Sequence, residues 1–208
     1  MFPPLYVVLD QDLLRVPSCD CAESLAGAGV VLIQYRAKHS AAREYLESCS
    51  MLVARLAASS ARLIVNDRPD IAAIVGAGGV HVGQEDLPPD EARRICGPKR
   101  WVGVSTHNLE HVRAANLTSV DYIAVGPIFA TPTKEKLDPL VGTAFIRQAR
   151  QFTRKPIVAI GGITLERVAE VYKAGADCVA VARDILSASD PGVRAKEFLA
   201  VAGSSLRN

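Results

Sequence analysis

Aromatic residues make up only 5% of this 208-residue chain, and its large apolar fraction is mostly Ala, Val, Leu and Ile. Those types suit parallel strands covered by helices on both faces. No apolar stretch approaches the roughly 18 residues needed to span a bilayer. Met1 to Asp10 lacks both a basic leader and a small-residue cleavage site, so a cytoplasmic location is expected. Basic and acidic residues nearly cancel, 24 against 22, with no run of Lys and Arg. The electrostatic stripe that holds a nucleic-acid backbone is therefore missing, and polymer partners are not expected. Five cysteines (Cys19, Cys21, Cys49, Cys96, Cys178) are an odd number without zinc-type spacing, which predicts free, mostly buried thiols in a reducing compartment. There is no Ser/His/Asp set and no CxxC pair. His107 and His111 stand four apart without an evident third ligand, and a metal role for them is set aside.

What the chain does have is regular alternation. Eight apolar runs read as strands: Leu5 to Leu9, Val30 to Gln34, Arg62 to Val65, Gly79 to Val82, Trp101 to Val104, Tyr122 to Val125, Pro156 to Ile160 and Cys178 to Val181. Segments of helical pattern lie between them, among them Ala41 to Ala58, Asp70 to Val75, Pro89 to Cys96, Leu109 to Ala115, Thr143 to Gln151 and Leu165 to Lys173. Alternation of this kind forces parallel strands with right-handed crossovers. Eight equal units, about 26 residues each, favour a closed barrel, so residues 1–208 are expected to form a single (β/α)8 TIM barrel domain. Glycines at 26 to 29, 76 to 79 and 174 to 177 mark helix-to-strand junctions, where Gly supplies the positive φ that ends a helix. The longest poorly patterned piece, Pro127 to Gly142, has the length of a functional loop and is a candidate flap.

In such a barrel the chemistry sits where the strands end at the C-terminal face. Asn66-Asp67 follows the third strand and Gln84-Glu85-Asp86 the fourth, so two carboxylates would rise side by side on one rim. Magnesium takes one or two carboxylates together with water and substrate phosphate. Equally open from spacing is that Asp67 and Asp86 cap the helices that follow. Arg36 and Lys38, two apart past the second strand, either face an anionic leaving group together or are a solvated pair. Gly161-Gly162 after the seventh strand stands where many barrels cradle a phosphate on backbone N–H groups, with Thr164 available to cap the next helix. Lys134, in a loop among threonines, reads as an anion clamp.

Taken in order, QYRAK at 34 to 38, LIVNDRPDIA, GVHVGQEDLP, VGVSTHN, DYIAVGPIFATPTK and PIVAIGGIT give the chain, from about Tyr6 to Leu186, a sequence that resembles the thiamine-phosphate synthase (thiamine-phosphate pyrophosphorylase) family. The resemblance implies coupling of 4-amino-2-methyl-5-(diphosphooxymethyl)pyrimidine to 4-methyl-5-(2-phosphooxyethyl)thiazole, with release of pyrophosphate. It implies Mg²⁺ on Asp67 and Asp86. The pyrimidine diphosphate would meet Gln34, Tyr35, Arg36, Ala37, Lys38, Asn66, Ser105 and Lys134, of which Arg36, Lys38, Ser105 and Lys134 would be catalytic. The thiazole phosphate would meet Thr131, Pro132, Thr133, Gly162 and the backbone of Ala182 and Arg183, with Gly161 a structural neighbour. The partners implied are small phosphorylated substrates, and oligomeric state is left open.

Three positions depart from the family pattern. Ala37 stands where Glu is frequent, Cys178 where Gly is frequent, and Arg183 where a small residue such as Ser is common. Arg183 lies at the expected thiazole phosphate site, where it would either crowd that phosphate or add a contact to it. The competing enzyme is a thiazole tautomerase of the same family, which does not need the full diphosphate and Mg²⁺ set. A non-catalytic barrel that binds a thiamine precursor is the alternative outside enzymes.

Overall fold

The computed structural model describes residues 2–131 and 139–205. Eight strands, β1 (Leu5–Asp10), β2 (Leu32–Arg36), β3 (Arg62–Asn66), β4 (Gly79–Val82), β5 (Trp101–Thr106), β6 (Tyr122–Val125), β7 (Ile157–Ile160) and β8 (Cys178–Val181), pair in sequence order, all parallel. The sheet closes through β1 and β8, with Leu5 opposite Val179 and Val7 opposite Val181. Helices α1 (Ser18–Gly27), α2 (Ala42–Leu56), α3 (Pro69–Ile74), α4 (Pro89–Cys96), α5 (Leu109–Asn116), α6 (Gly142–Arg150), α7 (Val168–Lys173), α8 (Arg183–Leu186) and α9 (Pro191–Ser205) cover it. This is the expected (β/α)8 barrel.

Alternation along each strand divides the core in two. One set of side chains faces the helices and forms the larger cluster, with Leu5, Val7, Leu9, Ile33 and Tyr35 among its members. The other set fills the barrel interior and includes Tyr6, Val8, Leu32, Ile64, Tyr122, Val158 and Cys178. Each fully buried Val, Leu or Ile contributes about 1.5–3 kcal/mol, so both clusters hold the barrel closed.

At the N-terminal face the same device recurs. The Asp121 carboxylate accepts the Val102 N–H at 2.7 Å and pairs with Arg93 of α4. Asp177 accepts the Ile157 N–H at 2.7 Å and pairs with Arg150 of α6. Each acid precedes a strand and ties it to its neighbour, at the end of the barrel associated with stability.

Two boundaries differ from expectation in ways that matter to the site. The second strand begins at Leu32, because Val30 still belongs to the end of α1: its N–H reaches back to the Leu25 carbonyl at 3.1 Å around Gly29, at φ 96°. The strand consequently runs on to Arg36, which lies in it and not beyond it. Helix α7 begins at Val168, so Thr164 is not its cap; the Thr164 carbonyl instead accepts from Arg167 and Val168 across a preceding turn. Among the described residues no helix is long and apolar enough to cross a membrane.

Candidate active site

A cavity of about 640 Å³ opens at the C-terminal end of the barrel. Its lining brings together Gln34, Arg36, Asn66 and Ser105 from β2, β3 and β5, Thr131, Gly162 and Ala182 from the loops after β6, β7 and β8, and Arg183 from the start of α8. The first group is inward-facing by strand alternation. Gln34 and Arg36 are two apart on β2, so both enter the barrel, while Tyr35 and Ala37 face the helices and are buried there. The Tyr35 ring stacks on Tyr45 of α2 at 5.4 Å, and its hydroxyl donates to Gln11 at 3.0 Å. For Tyr35 and Ala37 only the backbone is left to face the cavity.

Arg36 and Lys38 differ in their immediate partners. Arg36 Nη1 lies 2.5 Å from the buried Asp10 carboxylate at the end of β1, whereas Lys38 has left the strand, is exposed and stands near Asp67. A guanidinium offers five N–H donors, so Arg36 retains others for an anion while Asp10 fixes its direction. Asp10 was not anticipated. Its signal was available, because it continues the inward series Tyr6, Val8 and Asp10 along one strand.

Asp67 and Asp86 come together beyond Asn66 on the rim, next to the cavity lining and not within it. Asp67 has φ 61°, the single non-glycine residue with positive φ among the described residues. It is held there from two sides. The Asp67 N–H donates to the His81 carbonyl at 2.8 Å, and the Tyr45 hydroxyl accepts from the Asn66 N–H at 3.1 Å. Burial, with the Asp86 carboxyl close enough to hydrogen-bond, pushes Asp67 up to about 7, while Lys38 pulls the other way. Asp86 accepts the Gly83 N–H at 2.7 Å, and neighbouring Gln84 donates to the Ser105 carbonyl at 2.6 Å. The helix-cap alternative is ruled out, since neither α3 nor α4 has a side-chain cap; both begin with proline in the first turn.

Two carboxylates in contact, one of them reluctant to ionise without a cation, fit a divalent metal. Among the described residues no third His, Cys, Asp or Glu completes a protein-only cage. Such a donor set suits Mg²⁺, which prefers one or two carboxylates with water and phosphate oxygens at its other positions.

Across the barrel, the loops after β6 and β7 are zipped together. Ile128 and Phe129 N–H groups donate to the Ile160 and Gly161 carbonyls, each at 2.9 Å. A Cβ at Gly162, φ 61°, would stand 2.4 Å from the Ala130 carbonyl oxygen, so only glycine fits this approach. Arg183 is exposed at the rim, and Cys178 is wholly buried in the barrel interior. Pro132, Thr133 and Lys134 lie outside the described residues.

Paired acids and cations on one arc of the rim, facing strand-7 and strand-8 loops on the other, define a (β/α)8 barrel enzyme whose chemistry sits at the C-terminal ends of its strands. The sequence matches the family described as thiamine monophosphate synthase over residues 5–185. It is 47% identical over 204 residues to a thiamine-phosphate synthase of Koribacter versatilis, covering 96% of this chain and 95% of that one. A thiamine-phosphate synthase of Chloroflexus aurantiacus is 42% identical over 198 residues, covering 95% and 91%. The structure of a thiamine phosphate pyrophosphorylase from Pyrococcus furiosus superposes with a TM-score of 0.89 at 30% identity, over 98% of this chain and 96% of that one. The chain belongs to the thiamine monophosphate synthase family.

Proposed function

We propose that this chain joins the aminopyrimidine diphosphate to the thiazole phosphate, giving thiamine phosphate and pyrophosphate with Mg²⁺ held by Asp67 and Asp86. The observation that carries the proposal is the contact of those two carboxylates beside Lys38, on the same rim as Arg36, Asn66 and Ser105. A thiazole tautomerase has no need of that set.

The chemistry asks little of the protein by way of proton transfer. The C–O bond to the diphosphate breaks first, leaving a cation at the methylene carbon that the electron-rich aminopyrimidine ring stabilises. The thiazole nitrogen, already neutral and carrying a lone pair, then forms the C–N bond. No nucleophile has to be deprotonated. Held by Asp67 and Asp86, Mg²⁺ would supply charge neutralisation for the departing diphosphate. Arg36, directed by Asp10, and Lys38 meet the same growing charge from the β2 side. Lys134 joins them by the resemblance of its motif. Gln34, Asn66 and Ser105 orient the pyrimidine, and the loops around Gly162 and Ala182 hold the thiazole phosphate, so that two bound reactants are kept in line.

Incubation of the purified protein with both substrates and Mg²⁺ tests the assignment. Thiamine phosphate and pyrophosphate should appear in equal amounts; isomerisation of the thiazole without coupling, or binding without turnover, would replace it with one of the alternatives.

A further inference from the structure

Interiors of (β/α)8 barrels are normally packed with branched aliphatic side chains, but here a row of polar groups crosses the core. Gln34 Nε2 donates to the Tyr6 hydroxyl at 2.7 Å, and the Tyr6 and Tyr122 hydroxyls are 3.1 Å apart. Tyr122 Oη is 3.1 Å from His81 Nδ1, and His81 Nε2 is 2.9 Å from Ser105 Oγ. Tyr6, Tyr122, Gln34 and His81 are all buried. Space is reserved for the row: a Cβ on Gly103, which lies opposite Tyr122 in the β5–β6 register, would stand 2.0 Å from Tyr122 Cζ. The His81 ring stacks on Tyr122 at 5.6 Å. Both ends of the row, Gln34 and Ser105, line the cavity, as do Tyr6 and His81 between them, while Tyr122 lies behind the lining.

The Gln34 amide, donating from Nε2 to Tyr6, gives the row a direction. A phenol has one hydrogen to donate. Tyr6 accepts from Gln34, so its own hydrogen goes to Tyr122. Followed onward in that direction, Tyr122 would donate to His81 Nδ1, which would place the imidazole hydrogen on Nε2 and make Ser105 Oγ the acceptor. The Ser105 hydrogen is then turned to the cavity, as is the Gln34 carbonyl oxygen. We propose that Tyr6, Tyr122 and His81 are positioning residues that fix this polarity. Gln34 becomes an acceptor and Ser105 a donor, and the cavity selects a heterocycle that offers an N–H group to one and a lone pair to the other. An aminopyrimidine is such a ligand, and in naming it the inference rests on the function proposed above.

The state of the imidazole is readable without any substrate. In the whole protein labelled with ¹⁵N-histidine, the His81 signals, identified by their loss in His81→Gln, should show a pyrrole-type Nε2 and a pyridine-type Nδ1 throughout about pH 6 to 8. A proton on Nδ1 in that range overturns the proposal. In turnover, Tyr6→Phe and Tyr122→Phe should raise KM for the pyrimidine diphosphate by about tenfold or more, with KM for the thiazole phosphate within about twofold. His81→Gln, which keeps a donor toward Ser105, should retain more pyrimidine affinity than His81→Leu. An unchanged pyrimidine KM in Tyr6→Phe, or a parallel rise for both substrates, would contradict the proposal. If the wild-type protein does not couple the substrates at all, the proposed function fails while the imidazole signals still decide the polarity of the row.

Discussion

Asp67 combines a left-handed backbone with a carboxyl that burial and Asp86 hold in its protonated form up to about pH 7. In metal-free protein the folded state therefore binds a proton that the unfolded chain has already released above about pH 4. The stability this contributes is present below about pH 4 and is lost as pH rises through about 7. Asn tolerates the same backbone conformation, so Asp67→Asn isolates the charge. In excess chelator at pH 8 it should raise the melting temperature by about 2 to 4 °C, the equivalent of about 1 kcal/mol after allowance for solvent screening. With Mg²⁺ present the same variant should lose turnover on the order of 10²-fold, as when one stabiliser of transition-state charge is removed. A melting temperature that is lower at pH 8, or unimpaired turnover, would sink the metal assignment. Arg183 calls for the opposite expectation, since it is exposed on the rim beside backbone that already faces the cavity. Arg183→Ser should change the thiazole phosphate KM by less than about tenfold, and loss of coupling would mean that this side chain is the phosphate clamp. At this scale the sequence named Gln34, Arg36, Asn66 and Ser105, which line the cavity, together with Tyr35 and Ala37, whose odd register turns their side chains to the helices. It passed over Asp10 and His81 because a single polar residue within an apolar strand reads as an interruption until its inward register is known.

The strands β4, β6 and β8 were legible to the residue: each is preceded by glycine or aspartate (Gly78, Asp121, Asp177), and Gly83 and Gly126 end the first two. Strand β2 was not, because Val30 is apolar in pattern but spends its N–H on closing α1. Composition cannot separate a hydrophobic residue that closes a helix from one that opens a strand. The contact between carboxylates of successive βα units was likewise readable only as adjacency, since Asp67 reaches Asp86 through a backbone conformation that spacing does not encode. Glycines illustrate the same division. Gly29 and Gly162 both have positive φ, yet a Cβ at Gly29 would meet only Leu199 Cδ1 at 3.6 Å, whereas at Gly162 it would strike the Ala130 carbonyl oxygen and Phe129 Cβ at 2.4 and 2.9 Å. Gly29→Ala should therefore cost about 1–3 kcal/mol of backbone strain and leave both KM values unchanged. Gly162→Ala carries that strain and must also part the two zipped loops, so the thiazole phosphate KM should rise at least about tenfold. Equal kinetic effects from the two substitutions would show that the loop contact is not what shapes that side of the cavity.

Closure of the barrel by β1 and β8 joins the two arcs of the rim into one ring. The acids and cations at and beyond the ends of β2 to β4 and the loops after β6 to β8 are thereby anchored to strands buried on both faces. A rigid frame suits the proposed reaction, whose demand is placement, because its two anionic substrates would have to be held near one another against their mutual repulsion. It also means that ligands on one arc should register in the stability of the whole. Inorganic pyrophosphate carries the charge of the leaving group, and Asp67 and Asp86 repel it until a cation lies between. Pyrophosphate alone should therefore leave the melting temperature nearly unchanged, and Mg²⁺ alone should raise it slightly by relieving the carboxylate contact. Together, at about 100 times their joint dissociation constant, they should add about 2.7 kcal/mol, which for a domain of this size is a rise of about 5 to 11 °C. Asp67→Asn and Asp86→Asn should each abolish most of that joint effect. If pyrophosphate stabilised the wild-type protein equally with chelator and with Mg²⁺, the diphosphate would be bound by the cations alone, and the paired carboxylates would need another role.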